Sequence, residues 1–218
     1  MSTERYSRQK DIVPIERISQ CQATVIGVGA IGRQVALQLA AIGIPRLELV
    51  DFDVVEESNL ASQGYWQADL GIAKVDATSQ LCRQINPDLD IQISDERFKR
   101  SQKIGNCVFT CVDSIESRRL IWEAVQDKVS FFVDGRMAAE VLRVLAVCDA
   151  QSRAYYPTTL FGSQEAYAGS CTAKTTIYCA NIAAGFMLAQ FTRYLRLLPV
   201  DADLQVNLLA SEIQVTGG

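Results

Sequence analysis

Short apolar runs alternate with segments of helical spacing over the first 135 residues. Five runs have the β-type composition of strands, at residues 22–28, 46–53, 89–94, 107–113 and 129–135. Three segments between them, at 33–43, 74–85 and 114–126, place apolar residues at helical spacing. Gly43 and Pro87 are natural stops for the first two helices, and Ser114 is a suitable N-cap for the third. Strands that alternate with helices predict parallel βαβ units.

The pattern changes after Gly135. Residues 140–150 and 152–160 resemble consecutive antiparallel strands, 172–198 a long and largely apolar helix, and 203–216 one or two closing strands. We therefore predict one α/β domain over residues 1–218. Its sheet is Rossmann-like, mixed and mostly parallel, with helices on both faces and antiparallel strands in the C-terminal half.

Composition narrows the choice of partners. The formal net charge is −4 and Lys and Arg form no basic stripe, which argues against nucleic acid as a partner. No run of about eighteen apolar residues exists. The N-terminal sequence MSTERYSRQK is polar and lacks the apolar core of a signal peptide. We expect a cytoplasmic protein without a membrane partner.

The cysteine and histidine counts restrict the chemistry. The chain has seven cysteines, no C-x-x-C pair and no histidine. A disulfide scaffold and a structural zinc site are therefore not expected. Without histidine, Ser-His and Cys-His catalytic pairs are excluded. Any reaction must rely on carboxylates, Lys, Arg, Cys or backbone dipoles.

A glycine-rich turn, GVGAIG at residues 27–32, joins the first strand to the first helix. Glycine allows a tight turn and a close approach of a phosphate, and the helix N-terminus supplies free N–H groups. Asp51 lies at the end of the next strand, where a carboxylate accepts hydrogen bonds from a ribose. This turn predicts a nucleotide site but does not separate NAD from ATP, and a purely structural turn is the alternative. The candidate binding residues of the turn are Gly27, Gly29, Ala30, Ile31 and Gly32.

Further polar residues favour ATP over NAD. Strand ends of an open parallel sheet converge on one crevice. Five polar residues lie at or just after the ends of predicted strands, with Asp113 ending the fourth strand, or begin a helix there. Carboxylates beside one lysine suit a magnesium triphosphate, because the lysine balances phosphate charge and a carboxylate binds the hard cation. An NAD-dependent oxidoreductase, which often uses a histidine, remains the alternative. The five residues are Asp51, Asp53, Asn59, Lys74 and Asp113.

Six motifs in order resemble the ubiquitin-activating-type superfamily, whose bacterial members include ThiF, MoeB and HesA. They cover most of the chain to about residue 196. The motifs are R-Y-S-R-Q at 5–9, the glycine turn, D-F-D-V-V-E-E-S-N-L at 51–60, G-I-A-K at 71–74, C-V-D at 111–113 and D-G-R-M at 134–137.

The resemblance implies an adenylation reaction in a homodimer. A C-terminal Gly-Gly carboxylate of a ubiquitin-like or sulfur-carrier protein would attack the α-phosphate of ATP and release pyrophosphate. Asp51 would bind the ribose, and Asn59 and Lys74 the phosphates. Asp113 would hold Mg²⁺, and Arg8 would reach the triphosphate bound by the other subunit. The nucleophile is already ionised at neutral pH, so no histidine is needed.

Two positions bear on whether this chain is catalytic. The family pattern N-L-x-R-Q reads N-L-A-S-Q here, so Ser62 stands where an arginine is expected. Arg33, just after the glycine turn, is a candidate replacement. A non-catalytic member that acts as a binding subunit is therefore a further alternative.

Cys171 is the candidate thiol for a second step. It follows a glycine-containing loop and precedes the long helix, with Lys174 close by. A helix N-terminus and a lysine both lower a thiol pKa. In the family, a cysteine before this helix takes the activated carboxylate as a thioester or persulfide-linked species. A buried loop cysteine without a role is the alternative, and Cys179 is expected in the core.

Overall fold

The computed structural model describes residues 4–160 and 175–216. Within them, eight strands form one sheet in the order β3-β2-β1-β4-β5-β6-β7-β8. The strands are β1 Gln22–Ile26, β2 Arg46–Val50, β3 Asp90–Ser94, β4 Cys107–Thr110, β5 Phe131–Ala138, β6 Val141–Val147, β7 Asp203–Asn207 and β8 Glu212–Thr216.

Strand direction divides the sheet into two parts. Strands β3, β2, β1, β4 and β5 are parallel neighbours, and β5, β6, β7 and β8 pair antiparallel. The chain order reverses between β1 and its neighbour β4, which opens a crevice at the carboxyl ends of these strands. The predicted mixed α/β sheet is confirmed, whereas the single domain over 1–218 stays a prediction.

Helices cover both faces of the sheet. One apolar cluster packs α2, α4 and α7 against the sheet, and a second packs α5 with Tyr156 against the opposite face. The helices are α1 Ile15–Ile18, α2 Ala30–Ile42, α3 Glu57–Gln63, α4 Lys74–Ile85, α5 Ile115–Val125, α6 Ala150–Tyr155 and α7 Ile177–Leu195. None of the helices within 4–160 and 175–216 is long and apolar enough to cross a membrane.

Local end signals account for the correctly predicted helices. Helix α2 ends before Gly43, whose φ of 91° is readily adopted by glycine, and the Gly43 N–H donates back to Ala40 and Leu39. The Ser114 side chain accepts a hydrogen bond from the Ser117 N–H at 3.1 Å and so caps α5.

The strand predicted at 152–160 is wrong. These residues lie in α6 and in a 3-10 helix over Tyr156–Thr159. The Asp149 carboxylate accepts from the Ser152 N–H at 2.8 Å, and this N-cap starts a helix before strand pairing can continue. Several boundaries also differ from the prediction; among them, β4 ends at Thr110 and α7 begins only at Ile177.

Candidate nucleotide site

The glycine turn is held close to the loop that follows β4. Gly27 has a φ of 86°, and a Cβ there would lie 2.7 Å from the Cys111 carbonyl oxygen. A Cβ on Gly32 would lie 1.8 Å from the Gly27 carbonyl oxygen. Both contacts are too short for any side chain, so the fold requires glycine at positions 27 and 32.

The turn presents free amide donors. Gly29 is the N-cap of α2, and no side chain caps this helix. Among the contacts of residues 4–160 and 175–216, the Gly29 N–H has no hydrogen-bond partner. The amides of Ala30, Ile31 and Gly32 belong to the first turn, where an α-helix offers no internal acceptor. Four N–H groups and the positive end of the helix dipole therefore suit an anion.

Asp51 fixes the shape of this turn. Its Oδ2 accepts from the Val28 N–H at 2.5 Å, and its Oδ1 accepts from the Asp53 N–H at 2.9 Å. Burial raises the pKa of Asp51, while these backbone hydrogen bonds and Lys74 oppose that rise. The side chain predicted to bind a ribose thus also ties β1 to β2, and its residue is 8 % exposed.

The structure brings Lys74, Asp53 and Asn59 together. Lys74 begins α4 and is 6 % exposed, and its Nζ lies 3.0 Å from Asp53 Oδ2. The Lys74 N–H also donates to the Asp53 carbonyl oxygen at 2.9 Å. A cleft of about 350 Å³ is lined by Phe52, Asp53, Val54, Glu56, Asn59 and Lys74.

The side-chain oxygen of Asn59 is already used in a local hydrogen bond. Its Oδ1 accepts from the Glu56 N–H at 3.0 Å, and the Glu56 side chain accepts in return from the Asn59 N–H in a capping box. The amide nitrogen of Asn59 makes a long contact of 3.4 Å with Ser58. Its N–H₂ group is the part of Asn59 that can serve a ligand in the cleft.

Asp113 lies three residues beyond the end of β4, in a bend before α5, and is exposed. The prediction that it ends the strand is wrong, because pairing with β1 stops at Thr110. Within the described residues, no three His, Cys, Asp or Glu side chains cluster as metal ligands. A magnesium ion bound with a triphosphate needs only one or two carboxylates, so an exposed carboxylate beside the crevice fits that group.

Arg8 lies far from the glycine turn of its own chain. Gln9 Nε2 donates to the Ile42 carbonyl oxygen at 2.9 Å, and the Tyr6 ring packs on Gly43. These contacts fix the segment to the C-terminal end of α2, and the glycine turn lies at the other end. A helix of 13 residues is about 20 Å long, so Arg8 does not reach the nucleotide site of its own chain.

Neither position 62, which is a serine, nor Arg33 places a positive charge in the cleft. The Ser62 hydroxyl donates to the Ser58 carbonyl oxygen at 2.8 Å, back along its own helix. Arg33 is 1 % exposed and lies behind the glycine turn. The expectation that Arg33 contacts phosphate in place of the family arginine is wrong, because its guanidinium is enclosed by Tyr65, Thr78 and Asp69.

Cys171 and Lys174 lie outside the described residues. The helix that Cys171 was expected to precede begins at Ile177, with Thr176 as its N-cap. Cys179 is fully buried, as predicted. Burial raises the pKa of Cys82 to about 12, which leaves that thiol protonated.

Tyr65 and Thr78 are the residues that sequence reasoning missed. The Tyr65 hydroxyl lies 2.6 Å from the Val28 carbonyl oxygen and 3.2 Å from Thr78 Oγ1. Neither residue belongs to one of the six motifs. Thr78 reaches the glycine turn because α4 packs against α2, and Tyr65 reaches it from the loop that follows α3.

Comparison with known proteins agrees with this geometry. The model of the ThiF family matches residues 6–214. Ubiquitin-like modifier-activating enzyme 5 of Aedes aegypti is 30 % identical over 138 aligned positions, and the match covers 55 % of this chain and 35 % of that protein. The probable adenylyltransferase/sulfurtransferase MoeZ of Mycobacterium tuberculosis is 30 % identical over 131 aligned positions, and the match covers 55 % of this chain and 33 % of that protein. The chain thus spans about one third of the length of these curated relatives.

Solved structures share the fold at low sequence identity. PaaA matches with a TM-score of 0.80 at 19 % identity, over 98 % of this chain and 72 % of that chain. Escherichia coli MccB with ATP matches with a TM-score of 0.78 at 14 % identity, over 98 % of this chain and 71 % of that chain. The family model spans nearly all of the sequence, and the chain therefore belongs to the ThiF family.

Proposed function

We propose that this chain binds ATP with Mg²⁺ and adenylates the C-terminal carboxylate of a ubiquitin-like or sulfur-carrier protein. The observation that carries the proposal is the set of free amides at the glycine turn, next to the enclosed cation of Lys74. The relatives support it, since their names describe a ubiquitin-like modifier-activating enzyme and an adenylyltransferase/sulfurtransferase.

Each part of the site has a role in holding the nucleotide. Gly29 and the first turn of α2 donate N–H groups to phosphate oxygens, and Lys74 adds a positive charge. When phosphate arrives, Lys74 exchanges its contact with Asp53 for one with the ligand. Asp51 holds the turn in place and accepts a ribose hydroxyl, and Asn59 offers its N–H₂ group.

The reaction forms one bond and breaks one. A carboxylate oxygen of the carrier bonds to the α-phosphorus, and the bond from that phosphorus to the bridging oxygen of pyrophosphate breaks. The products are a carrier acyl-adenylate and pyrophosphate. The carboxylate is ionised at neutral pH, so the protein need only position the groups and offset negative charge.

Asp113 is the residue that would hold magnesium. Bound Mg²⁺ neutralises charge on the phosphates. The carboxylate of Asp113 is exposed, follows the loop that packs on Gly27, and is a hard oxygen ligand. Its place at the carboxyl edge of β4 supports this role over a purely structural one.

A homodimer completes the proposed site. Arg8 lies at the far end of α2 from the nucleotide site of its own chain, so any contact with a triphosphate must be made across subunits. A guanidinium from the partner would supply the cation that is missing at Ser62. A homodimer with such a contact is what the R-Y-S-R-Q motif of the family implies.

Cys171 is the proposed acceptor if a thioester or persulfide-linked step follows adenylation. The test is chemical. The protein is incubated with ATP, Mg²⁺ and a Gly-Gly carrier, and wild type and Cys171→Ala are compared on non-reducing gels. A reducible adduct that is lost in the variant while adenylation persists supports the role, and an adduct that survives assigns it to another cysteine.

A non-catalytic binding subunit is the second candidate function. The observation that favours it is Ser62, whose hydroxyl is turned back onto its own helix where the family pattern has an arginine. Such a subunit would bind nucleotide or carrier but release no pyrophosphate. Binding without turnover at every protein concentration would favour it over the enzyme.

Nucleotide choice tests the proposed site most simply. We expect ATP with Mg²⁺ to raise the melting temperature and NAD to leave it unchanged, because the cleft pairs a lysine with carboxylates. Lys74→Ala should remove the ATP effect. Stabilisation by NAD alone would favour an oxidoreductase and contradict the proposal.

A further inference from the structure

A guanidinium lies buried directly behind the glycine turn. Arg33 is in the first turn of α2 and is 1 % exposed, and its guanidinium carbon lies 4.0 Å from the centre of the Tyr65 ring. Its Nη1 donates to Thr78 Oγ1 at 3.2 Å. Burying a charged group removes its hydration, and partners inside the protein must offset that cost in free energy.

A chain of hydrogen bonds starts at Arg33, and each group in it donates to the next. Arg33 can only donate, so Thr78 Oγ1 is the acceptor of that bond. The Tyr65 hydroxyl has one proton, and its shortest contact is 2.6 Å to the Val28 carbonyl oxygen. Tyr65 therefore donates to Val28 and accepts from Thr78, whose oxygen lies 3.2 Å away. We call the three side chains of Arg33, Thr78 and Tyr65 the buried relay.

The buried relay ends on the peptide group that carries a free donor. The Val28 carbonyl and the Gly29 N–H belong to the same planar peptide unit. A donor on the carbonyl oxygen polarises that unit and makes its N–H a stronger donor. The Gly29 N–H has no partner within residues 4–160 and 175–216, and it lies at the N-cap of α2, where we propose that phosphate binds.

The charge of Arg33 is only loosely neutralised inside the protein. Its closest carboxylate is Asp69, with 3.9 Å between Nη2 and Oδ2, and its Nε has no partner among the described residues. Burial raises the pKa of Tyr65, so this hydroxyl keeps its proton and remains a donor. Positive potential therefore extends through the relay to the glycine turn.

We propose that the buried relay of Arg33, Thr78 and Tyr65 strengthens phosphate binding by polarising the Val28–Gly29 peptide, without touching the ligand. These residues are positioning residues, since each acts through the glycine turn. The proposal rests on the proposed nucleotide site and deepens it. It also gives Arg33 a use in a chain that has Ser62 at the family's arginine position.

The test compares two ligands that differ only in phosphate. Binding of ATP with Mg²⁺ and of adenosine is measured by calorimetry for wild type, Tyr65→Phe and Thr78→Val. Each variant removes one link and keeps the shape of the side chain. We expect each to weaken ATP binding roughly three- to tenfold, the range for one lost hydrogen bond, and to leave adenosine binding unchanged.

Coupling between the links is the second readout. If the relay acts as a unit, the Tyr65→Phe/Thr78→Val double variant binds ATP about as well as either single variant. Arg33→Met should weaken ATP binding similarly, but it can also destabilise the fold, so the tyrosine and threonine variants decide. Tyr194→Phe is the matched control and should bind both ligands normally, because Tyr194 lies beside Cys107 at the amino end of β4, away from the carboxyl ends that form the crevice.

The variants could instead have a lower melting temperature and bind ATP and adenosine equally weakly. That result would mean that the relay is merely structural, and it would overturn the proposal. Unchanged ATP binding in Tyr65→Phe would also overturn the proposed role of the buried relay. The proposed nucleotide site would still stand in that case if Lys74→Ala weakened ATP binding. No ATP binding by wild type would overturn the proposed function and the relay together.

Discussion

Lys74 and Asp53 form an ion pair in which only one partner is enclosed. The distance from Nζ to Oδ2 is 3.0 Å, and the Lys74 side chain is 7 % exposed while that of Asp53 is 47 % exposed. Asp53 keeps contact with water, whereas Lys74 is held at the wall of the cleft. A ligand phosphate can therefore take over the lysine while solvent stabilises the aspartate.

Lys74→Ala should weaken ATP binding by about ten- to a hundredfold, because it removes a charge-assisted contact with phosphate. Calorimetric titration with ATP and Mg²⁺ measures the effect. Lys128→Ala is the control, since Lys128 is exposed between α5 and the amino end of β5, away from the carboxyl ends of the strands. Equal ATP affinity in Lys74→Ala and wild type would remove Lys74 from the site.

Asp113→Asn should fold normally and lose adenylation, because it keeps the shape of the side chain and removes the charge that would bind Mg²⁺. Asp113 is exposed, and its side chain makes no hydrogen bond or ion pair within the described residues, so little stability depends on it. Circular dichroism checks the fold and pyrophosphate exchange measures activity. Asp127→Asn, another exposed aspartate, should keep wild-type exchange, and the same result for Asp113→Asn would assign the metal to other residues.

Arg8→Ala and Lys74→Ala should complement each other when mixed. Each variant alone lacks one residue of every site, whereas a mixed dimer has one site with the Lys74 of one subunit and the Arg8 of its partner. Random mixing of equal amounts should restore about a quarter of wild-type activity. A mixture as inactive as its parts, or a monomer at high concentration, would contradict the shared site.

Asp134 should make stability depend on pH in the acid range. Burial alone would raise the pKa of Asp134, but Arg118 at 2.8 Å and Arg136 at 2.7 Å hold it below its usual value. A carboxyl with a lowered pKa stabilises the fold fully above the unfolded pKa of about 3.9. This contribution is lost as the pH falls from there through the lower pKa of the folded protein.

Asp134→Asn should cost about 3–5 kcal/mol at pH 7, because it leaves two buried guanidinium groups without their carboxylate. Urea unfolding at several pH values measures the cost, which should shrink below about pH 4. Asp88→Asn, at an exposed position, should have little effect at any pH. A cost for Asp134→Asn that is the same at pH 3 and pH 7 would show that the ion pairs are not its source.

The sequence predicted those parts of the fold that depend on local signals. Helix α2 ends at Gly43 and α5 begins after Ser114 because the stop and the cap lie in the adjacent sequence. The segment at 152–160 was mispredicted because its apolar pattern suits a strand, and the Asp149 cap decides otherwise. Composition alone does not show whether the apolar pattern or the helix cap determines the structure of this segment.

The candidate site was predictable in its members but not in their contacts. Motif spacing brought Asp53, Asn59 and Lys74 to one cleft, and the structure agrees. It did not indicate that Asp51 would hold the glycine turn or that Arg33 would be buried behind it. Those arrangements arise from the packing of α2, α4 and the Tyr65 loop, which are distant in sequence.

The most direct test of the account is exchange of labelled pyrophosphate into ATP by the purified protein with a carrier that ends in Gly-Gly. Exchange requires both that the nucleotide binds and that the carboxylate attacks the α-phosphate reversibly. We predict exchange that depends on Mg²⁺ and on the carrier's terminal carboxylate, and that Lys74→Ala lowers by at least about tenfold at limiting ATP. ATP binding without exchange for any Gly-Gly carrier would contradict adenylation and favour a binding subunit.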